Sequence, residues 1–297
     1  MNVTIIIFNR PKYVKKLVQI LEKVTINNLF IIADSARVGV PDDIFKCREA
    51  LDIATSLSNK TQIHVNKAEF NMGCGRRVHS GLNWVFEITD RSIILEDDCI
   101  PDLSFFPFAE ELLAKYEKDE RISSIGGSNP FHIQCRKSSY YFSKYSRIWG
   151  WATWARSWCN YDFEMEAWSN RSKNMDINGR FDDPYERNYY INLWDSLVGG
   201  NIDTWDIQWN FYNFIHDKLT IVPSRNMINN IGHGHEGTHT KRSLPVRFRM
   251  KTFPMKFPLS HPREIDVNKS MDYFTHRIWH NPILSQISRI LNKIRNY

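Results

Sequence analysis

Glu96, Asp97 and Asp98 stand side by side at the end of an apolar run, Ser92-Ile93-Ile94-Leu95. Adjacent carboxylates repel one another, and the repulsion grows where apolar neighbours exclude water. A divalent cation removes the conflict. Mg2+ and Mn2+ take hard oxygen ligands, often one or two carboxylates together with substrate phosphates. The bland alternative is a charged turn in which one Asp caps the following helix. Asp34 closes a second apolar run, Leu29–Ala33, in the same way, and Arg10 follows a third, Thr4–Phe8. A further acidic pair, Asp203 and Asp206, flanks Thr204 and Trp205. A carboxylate there can act as a general base toward a substrate hydroxyl. The pair can equally be a helix start, with Asp203 as N-cap and Asp206 in the first turn.

The stretch His235-Glu236-Gly237-Thr238-His239 spells the H-E-x-x-H pattern of zinc hydrolases. That pattern works on a helix, which puts both imidazoles on one face. Gly232, Gly234 and Gly237 crowd the segment, and each costs a helix about 1 kcal/mol. A loop is the expected conformation. From it His239 either reaches a metal or diphosphate, or stays a solvated histidine.

These residues need elements to position them. Strands are expected over Thr4–Phe8, Leu29–Ala33, Thr61–Val65 and Ser92–Leu95. Between them, Val14, Leu17, Val18 and Leu21 recur at helical spacing after Pro11, and further helices are expected over Asp42–Leu57 and Arg76–Glu87. Strands alternating with helices imply right-handed crossovers and an α/β, doubly wound, mainly parallel sheet. Ligands of such sheets bind beyond the carboxyl ends of the strands, so one rim should collect Arg10, Asp34 and the acidic triplet. Later, Phe105–Tyr116 reads as a helix, Ser123–Asp206 as irregular and Trp-rich, and 223–240 as loop. The tryptophans at 149, 151, 154 and 158 suit a core or a flat-ligand platform. Trp205 and Trp209 flank Asp206 and suit either acceptor stacking or packing.

The composition of the 297 residues, 42% hydrophobic and 24% charged, fits a globular protein with a substantial core. No apolar run approaches the roughly 20 residues of a membrane-spanning helix, and the first residues read as a strand rather than a signal peptide. Five scattered cysteines without a C-x-x-C pair suggest reduced thiols and a cytoplasmic setting. The net charge of +6 is uneven: residues 240–297 hold 12 Lys/Arg against 3 Asp/Glu. Within that basic tail Ile283, Leu284, Ile287, Ile290, Leu291 and Ile294 share one helical face, suited to a membrane surface or to docking on the rest of the chain. The charge is local and accompanies no RNA or DNA motif, which argues against nucleic acid.

Residues 93–113, "IILEDDCIPDLSFFPFAEELL", resemble the acidic-motif region of GT-A glycosyltransferases, above all the N-acetylglucosaminyltransferase I-like group and related bacterial sugar transferases. "FNRPKYVKKLVQIL", "IIADSAR", "NMGCGRRVHSGLNWVF", "RIWGWATWARSW", "DTWDIQWNFYNF" and "PSRNMINNIGHGHEGTHT" resemble further segments of that family in family order, across most of residues 1–240. The resemblance implies a GT-A, Rossmann-like catalytic domain over 1–240, with a nucleotide-binding half (1–100), an irregular acceptor-side half (101–240) and a C-terminal helical tail (241–297). It implies a metal-dependent transferase moving a sugar from a nucleotide-diphosphate donor, UDP above all, to a saccharide or lipid-linked saccharide of surface glycan synthesis, at the inner face of the membrane. By the same token Arg10 would contact the nucleotide, Asp34 the uracil, and Arg77 would lie near the nucleotide. Glu96 and Asp97 would hold ribose and donor sugar, Asp98 would bind Mn2+ or Mg2+ (His239 joining it if the loop reaches), and Asp206 would be the base of an inverting transfer, although a retaining transferase could use the same parts differently. EDD stands where D-x-D is common, and Asp34 is followed by Ser-Ala rather than a Gly-rich turn. The rival functions are a zinc hydrolase using His235, Glu236 and His239, and a non-catalytic nucleotide- or sugar-binding protein.

Overall fold

The computed structural model describes residues 1–57, 61–129, 138–171, 177–181, 183–200, 202–232 and 251–280. Its strands are β1 (Asn2–Ile7), β2 (Asn28–Ala33), β3 (Gln62–Lys67), β4 (Arg91–Glu96), β5 (Cys99–Pro101), β6 (Ile122–Gly126), β7 (Tyr140–Ser143), β8 (Trp151–Trp154), β9 (Leu219–Pro223) and β10 (Ile228–Asn230). Eight form one sheet in the order β3-β2-β1-β4-β8-β6-β9-β7, while β5 and β10 make a separate antiparallel ribbon. The β3-β2-β1-β4 half is wholly parallel. β8 then runs antiparallel to both β4 and β6, β9 parallel to β6, and β7 antiparallel to β9. The expected α/β, doubly wound, Rossmann-like architecture is therefore present, with a mixed-direction second half.

Helices α1 (Pro11–Leu21), α2 (Pro41–Thr55), α3 (Cys74–Ile88) and α4 (Phe105–Lys115) carry the crossovers. Pro stands at the start of both α1 and α2, where its fixed φ suits a first turn. The buried stripe of α1 is the expected one: Val14, Leu17, Val18 and Leu21. Alternate strand residues face opposite layers, as a period of two requires. Ile5, Ile31, Ile93 and Leu95 pack with α1 and α4 residues on one side. Phe30, Ile32 and Ile94 pack with Val78, Leu82 and Val85 of α3 on the other, joined by Trp151, Trp158, Trp205 and Trp209.

Two differences from the sequence reading have physical causes. The stretch expected to be irregular contains β6, β7, β8, the short helices α5 (Ala155–Trp158) and α6 (Glu166–Ser169), and the 15-residue α7 (Pro184–Val198). In β6, Ser123 and Ser124 are buried, and they hide the strand from hydropathy. Their polarity is absorbed across the sheet: the Ser124 and Thr220 hydroxyls meet at 2.8 Å, and Thr153 Oγ1 donates to the Ser123 carbonyl at 2.6 Å. Likewise 223–240 is not loop throughout, since Ile228–Asn230 pairs with β5.

α8 (Asp206–Ile215) follows α7, and α9 (Lys269–His280) lies against β7. Residues 251–280 are stitched to the sheet region. Met255 N donates to Ser104 Oγ at 2.8 Å, and the Asp272 carboxylate accepts from Ser143 Oγ at 2.6 Å and Lys144 N at 3.0 Å. The amphipathic stretch 283–294 lies outside the described residues.

Gly81 shows how closely α3 sits on the sheet. A Cβ added there would overlap the side chain of Ile32, which is fully buried. Gly81→Ala is expected to destabilise the protein. Overpacking costs about 1–3 kcal/mol, only partly offset by about 1 kcal/mol of helix propensity. Urea unfolding of the variant beside the parent checks this.

Candidate active site

The parallel register brings three strand ends level. Ile7 pairs with Ala33, and Ile6 with Glu96. Asp34 N and Asp97 N then donate to the carbonyls of Ile7 and Ile6, at 3.2 and 3.0 Å. Phe8–Arg10, Asp34 and Asp97–Asp98 consequently leave the sheet along one rim, as expected.

Arg10 closes the acidic cluster. Its Nη1 lies 3.0 Å from Asp97 Oδ1 and 3.0 Å from Asp98 Oδ2. Burial pulls the guanidinium pKa down, but Asp97 and Asp98 outweigh it and hold the charge more firmly than usual. One cation does not balance three carboxylates. Burial, reinforced by Asp98 and Asp97, pushes the Glu96 carboxyl far up, and burial also raises Asp97 against the opposing pull of Arg10. Asp206 is a further contributor to the Glu96 shift, so its charge is felt at the triplet from the other half of the chain.

Asp98 is enclosed by the ribbon beyond the sheet. Cys99 pairs with Asn230, Ile231 N donates to the Asp98 carbonyl at 2.9 Å, and Asn230 Nδ2 reaches Asp98 Oδ1 at 3.4 Å. The backbone of Gly232 passes so close that a Cβ there would overlap the Asp98 carboxylate. Burial, then the charges of Asp98 and Glu96, push the Cys99 thiol well up, which makes it a poor thiolate ligand. Among the described residues no three His, Cys, Asp or Glu side chains converge as an all-protein metal cage. The surplus negative charge and the hard oxygens of Asp97 and Asp98 fit instead a hard divalent cation that shares its ligands with substrate phosphates. His239, and with it His235 and Glu236, lies outside the described residues.

Asp34 and Arg77 form a second cluster along the rim. Asp34 Oδ1 accepts from Ser35 N at 2.9 Å and Met72 N at 3.0 Å, and Oδ2 from Asn71 Nδ2 at 3.0 Å and Gly73 N at 3.2 Å. Its pKa is raised, burial outweighing those bonds. Arg77 is buried and ties strand ends together, donating to the carbonyls of Ala33 at 3.2 Å and Asn66 at 2.7 Å. Asp34 thus holds the turn that feeds α3, while Arg77 fastens α3 to the ends of β2 and β3.

Asp203 and Asp206 divide the roles left open for them. Asp203 caps a helix, but not its own: its carboxylate accepts from Cys74 N at 3.1 Å and Gly75 N at 3.0 Å, at the start of α3. The close approach leaves no room for a Cβ at Gly73, where φ is +79°, nor at Gly75, against which Asp203 and the Thr204 carbonyl pack. Asp206 is the first residue of α8, and Thr204 Oγ1 donates to its Oδ1. Its Oδ2 makes no hydrogen bond with a described residue. Trp205 and Trp209 are not stacking platforms. They are 2% and 0% exposed, packed against Trp151 and Trp158. Of the other tryptophans, Trp151, Trp154 and Trp158 are equally core.

Asp206 instead lines a cavity of about 320 Å³, walled by the segment 145–148, by α7, by α8 and by Thr275 and His276 of α9. Sequence reasoning missed this cavity because it missed α7. The signal was there: Glu186, Tyr190, Trp194 and Leu197, the buried face of α7, follow helical spacing.

No family model matches this sequence, and no curated protein matches it. Among solved structures, a mannosyltransferase from Pyrobaculum calidifontis in complex with GDP-Man and Mn2+ aligns over 51% of this chain at 10% identity and a TM-score of 0.34. This chain spans only 43% of that protein's length. HddC from Yersinia pseudotuberculosis aligns over 58% of this chain and 86% of its own at 12% identity, with a TM-score of 0.35. Mouse xyloside xylosyltransferase 1 aligns over 72% of this chain and 81% of its own at 8% identity, with a TM-score of 0.34. Likeness at this level says nothing about individual residues.

Arg10→Met removes the cation from the acidic cluster. The folded protein should lose about 3 kcal/mol, as when one partner of a buried ion pair is deleted. The sign of the pH dependence follows from the raised acids. An acid whose folded pKa lies above its unfolded value takes up protons on folding, so stability falls as pH rises through that window. The variant's loss is therefore expected to be larger near pH 8 than near pH 5, checked by urea unfolding at both.

Proposed function

We propose that this chain is a metal-dependent GT-A glycosyltransferase, moving a sugar from a nucleoside-diphosphate donor, UDP-linked in the first instance, to a saccharide hydroxyl. The observation that carries this reading is the meeting of two acidic groups from distant parts of the chain. The triplet sits at the end of β4, and Asp206 is close enough to perturb Glu96 while also lining a cavity.

In this reading Asp98 holds Mn2+ or Mg2+, with Asp97 beside it, and Arg10 faces the diphosphate. A divalent cation there supplies neutralisation of the charge that develops on the leaving diphosphate. Glu96 and Asp97 hold the ribose and donor sugar. Asp34 keeps the 71–73 turn, and Arg77 the start of α3, in place beside the nucleotide. Asp206, oriented by the Thr204 hydroxyl, takes the proton of the acceptor hydroxyl as its oxygen bonds to the anomeric carbon. The bond from that carbon to the diphosphate oxygen breaks, and its electron pair leaves with the nucleoside diphosphate. A single displacement inverts the anomeric centre. The acceptor class is a saccharide, free or lipid-linked, as in surface glycan synthesis. Among the described residues no helix is long and apolar enough to cross a membrane.

Calorimetric titration with UDP tests the donor site. Binding should require Mn2+ or Mg2+, vanish with EDTA, and be lost in Asp98→Ala. Absence of binding by a folded parent, to UDP and to other nucleoside diphosphates alike, overturns the reading. Asp206→Asn should keep metal-dependent UDP binding while transfer, read as UDP release from a UDP-sugar and acceptor panel, falls about 10²–10⁴-fold. Transfer that survives in this variant places the base elsewhere.

A further inference from the structure

The cavity beside Asp206 contains a cation that the protein does not use. Arg147 lines it, half-buried, and its side chain makes no hydrogen bond or ion pair with any described residue; its Nε is buried without a partner. Every other arginine at the candidate site is committed: Arg10 to Asp97 and Asp98, Arg77 to strand-end carbonyls. The acid nearest in effect to Arg147 is not available to it as a direct partner. Asp272 spends its carboxylate on Ser143 and the Lys144 backbone, and feels Arg147 only at longer range. Lys144 is paired in turn with Glu186 at 3.4 Å. The buried Nε is a donor whose hydrogen bond is unmade, which is costly.

The rest of the wall is equally under-satisfied. The Tyr145 hydroxyl, Trp194 Nε1 and Asn210 Oδ1 belong to lining residues and are buried without a hydrogen-bond partner. Arg147 and Trp194 can only donate, Asn210 Oδ1 can only accept and the Tyr145 hydroxyl can do either, so the wall offers unmade hydrogen bonds of both kinds beside its one cation. A flat aromatic wall stands beside them, with Tyr145 stacked on Tyr190 at 5.4 Å and an interplanar angle of 6°. Among the charged lining residues Arg147 is the counterpart of Asp206, and burial keeps the lining histidine, His276, neutral by lowering its pKa to about 4.

We propose that this cavity is the acceptor subsite, resting on the transferase reading above, and that it selects a sugar bearing an acidic group. Arg147 binds that group, and the ring's reacting hydroxyl faces Asp206. Carboxylate and phosphate both match the guanidinium fork, so the acid is identified by experiment.

Ligand-observed NMR on the full chain compares glucuronate, glucose 6-phosphate and glucose as probes, with UDP binding measured on the same samples. One or both acids should bind at least tenfold more tightly than glucose. Preference for glucuronate names a carboxylate and preference for the phosphate names a phosphate. Equal binding of all three overturns the inference. In Arg147→Met the preferred acid should fall to the level of glucose, and Arg147→Lys should retain part of the preference; an unchanged preference in Arg147→Met also overturns it. Should Arg147→Met not fold, the selectivity of the parent and the partial loss in Arg147→Lys decide the matter. UDP bound without acid preference sinks the inference and leaves the transferase reading standing. Acid preference lost in Arg147→Met, with no nucleotide bound, sinks the transferase reading and leaves an acidic-sugar site.

Discussion

Three carboxylates held by one arginine at the end of β4 set the terms for the rest of the molecule. An apolar strand delivers them into a place where water cannot screen them, and a single guanidinium bridges two of the three. The remaining charge is accommodated by raised proton affinity at Glu96 and Asp97. Such a cluster is tolerable only on a rigid base. The parallel register of β1, β2 and β4 provides that base, because it fixes the level at which each strand ends.

Most of the surrounding polar groups serve to hold the loops near this cluster. Asp34 is consumed by the 71–73 turn, Arg77 by the ends of β2 and β3, and Asp203 by the first amides of α3. Each of these could be mistaken for a ligand-binding group on residue type alone. Asp206 and Arg147 differ from these in one respect: among the described residues, nothing bonds to one Asp206 oxygen or to the Arg147 guanidinium. The distinction between architecture and reactivity here is a matter of how many donors the chain itself supplies to each side chain.

The parallel half of the sheet and the contents of its rim were legible because apolar runs end abruptly in charged residues, and because α1 shows an unbroken helical stripe. The second half was less legible for definite reasons. Ser123 and Ser124 are buried through hydroxyl pairing across strands, which hydropathy reads as exposure. α7 mixes Tyr, Asn and Asp with its core residues, so its stripe of Tyr190, Trp194 and Leu197 is diluted. The bond from Asp203 to α3 joins residues about 130 positions apart, and no local pattern announces it. For Trp205 and Trp209 the sequence left stacking and packing level, because their burial depends on Trp151 and Trp158, which lie far away in sequence.

That sheet order has a consequence for how the chain is made. β4 is followed in sequence by β5 and β6, but its outer neighbour is β8, residues Trp151–Trp154. During synthesis from the N-terminus, the β3-β2-β1-β4 half can assemble while the free edge of β4 is still bare. Ser92 to Leu95 is a fully buried stretch of the finished protein, and until β8 emerges it presents an apolar template for any other strand. The strand with Trp151 and Trp154 is thus also a cover. Its late arrival defines an interval in which the nascent chain is most exposed to mispairing.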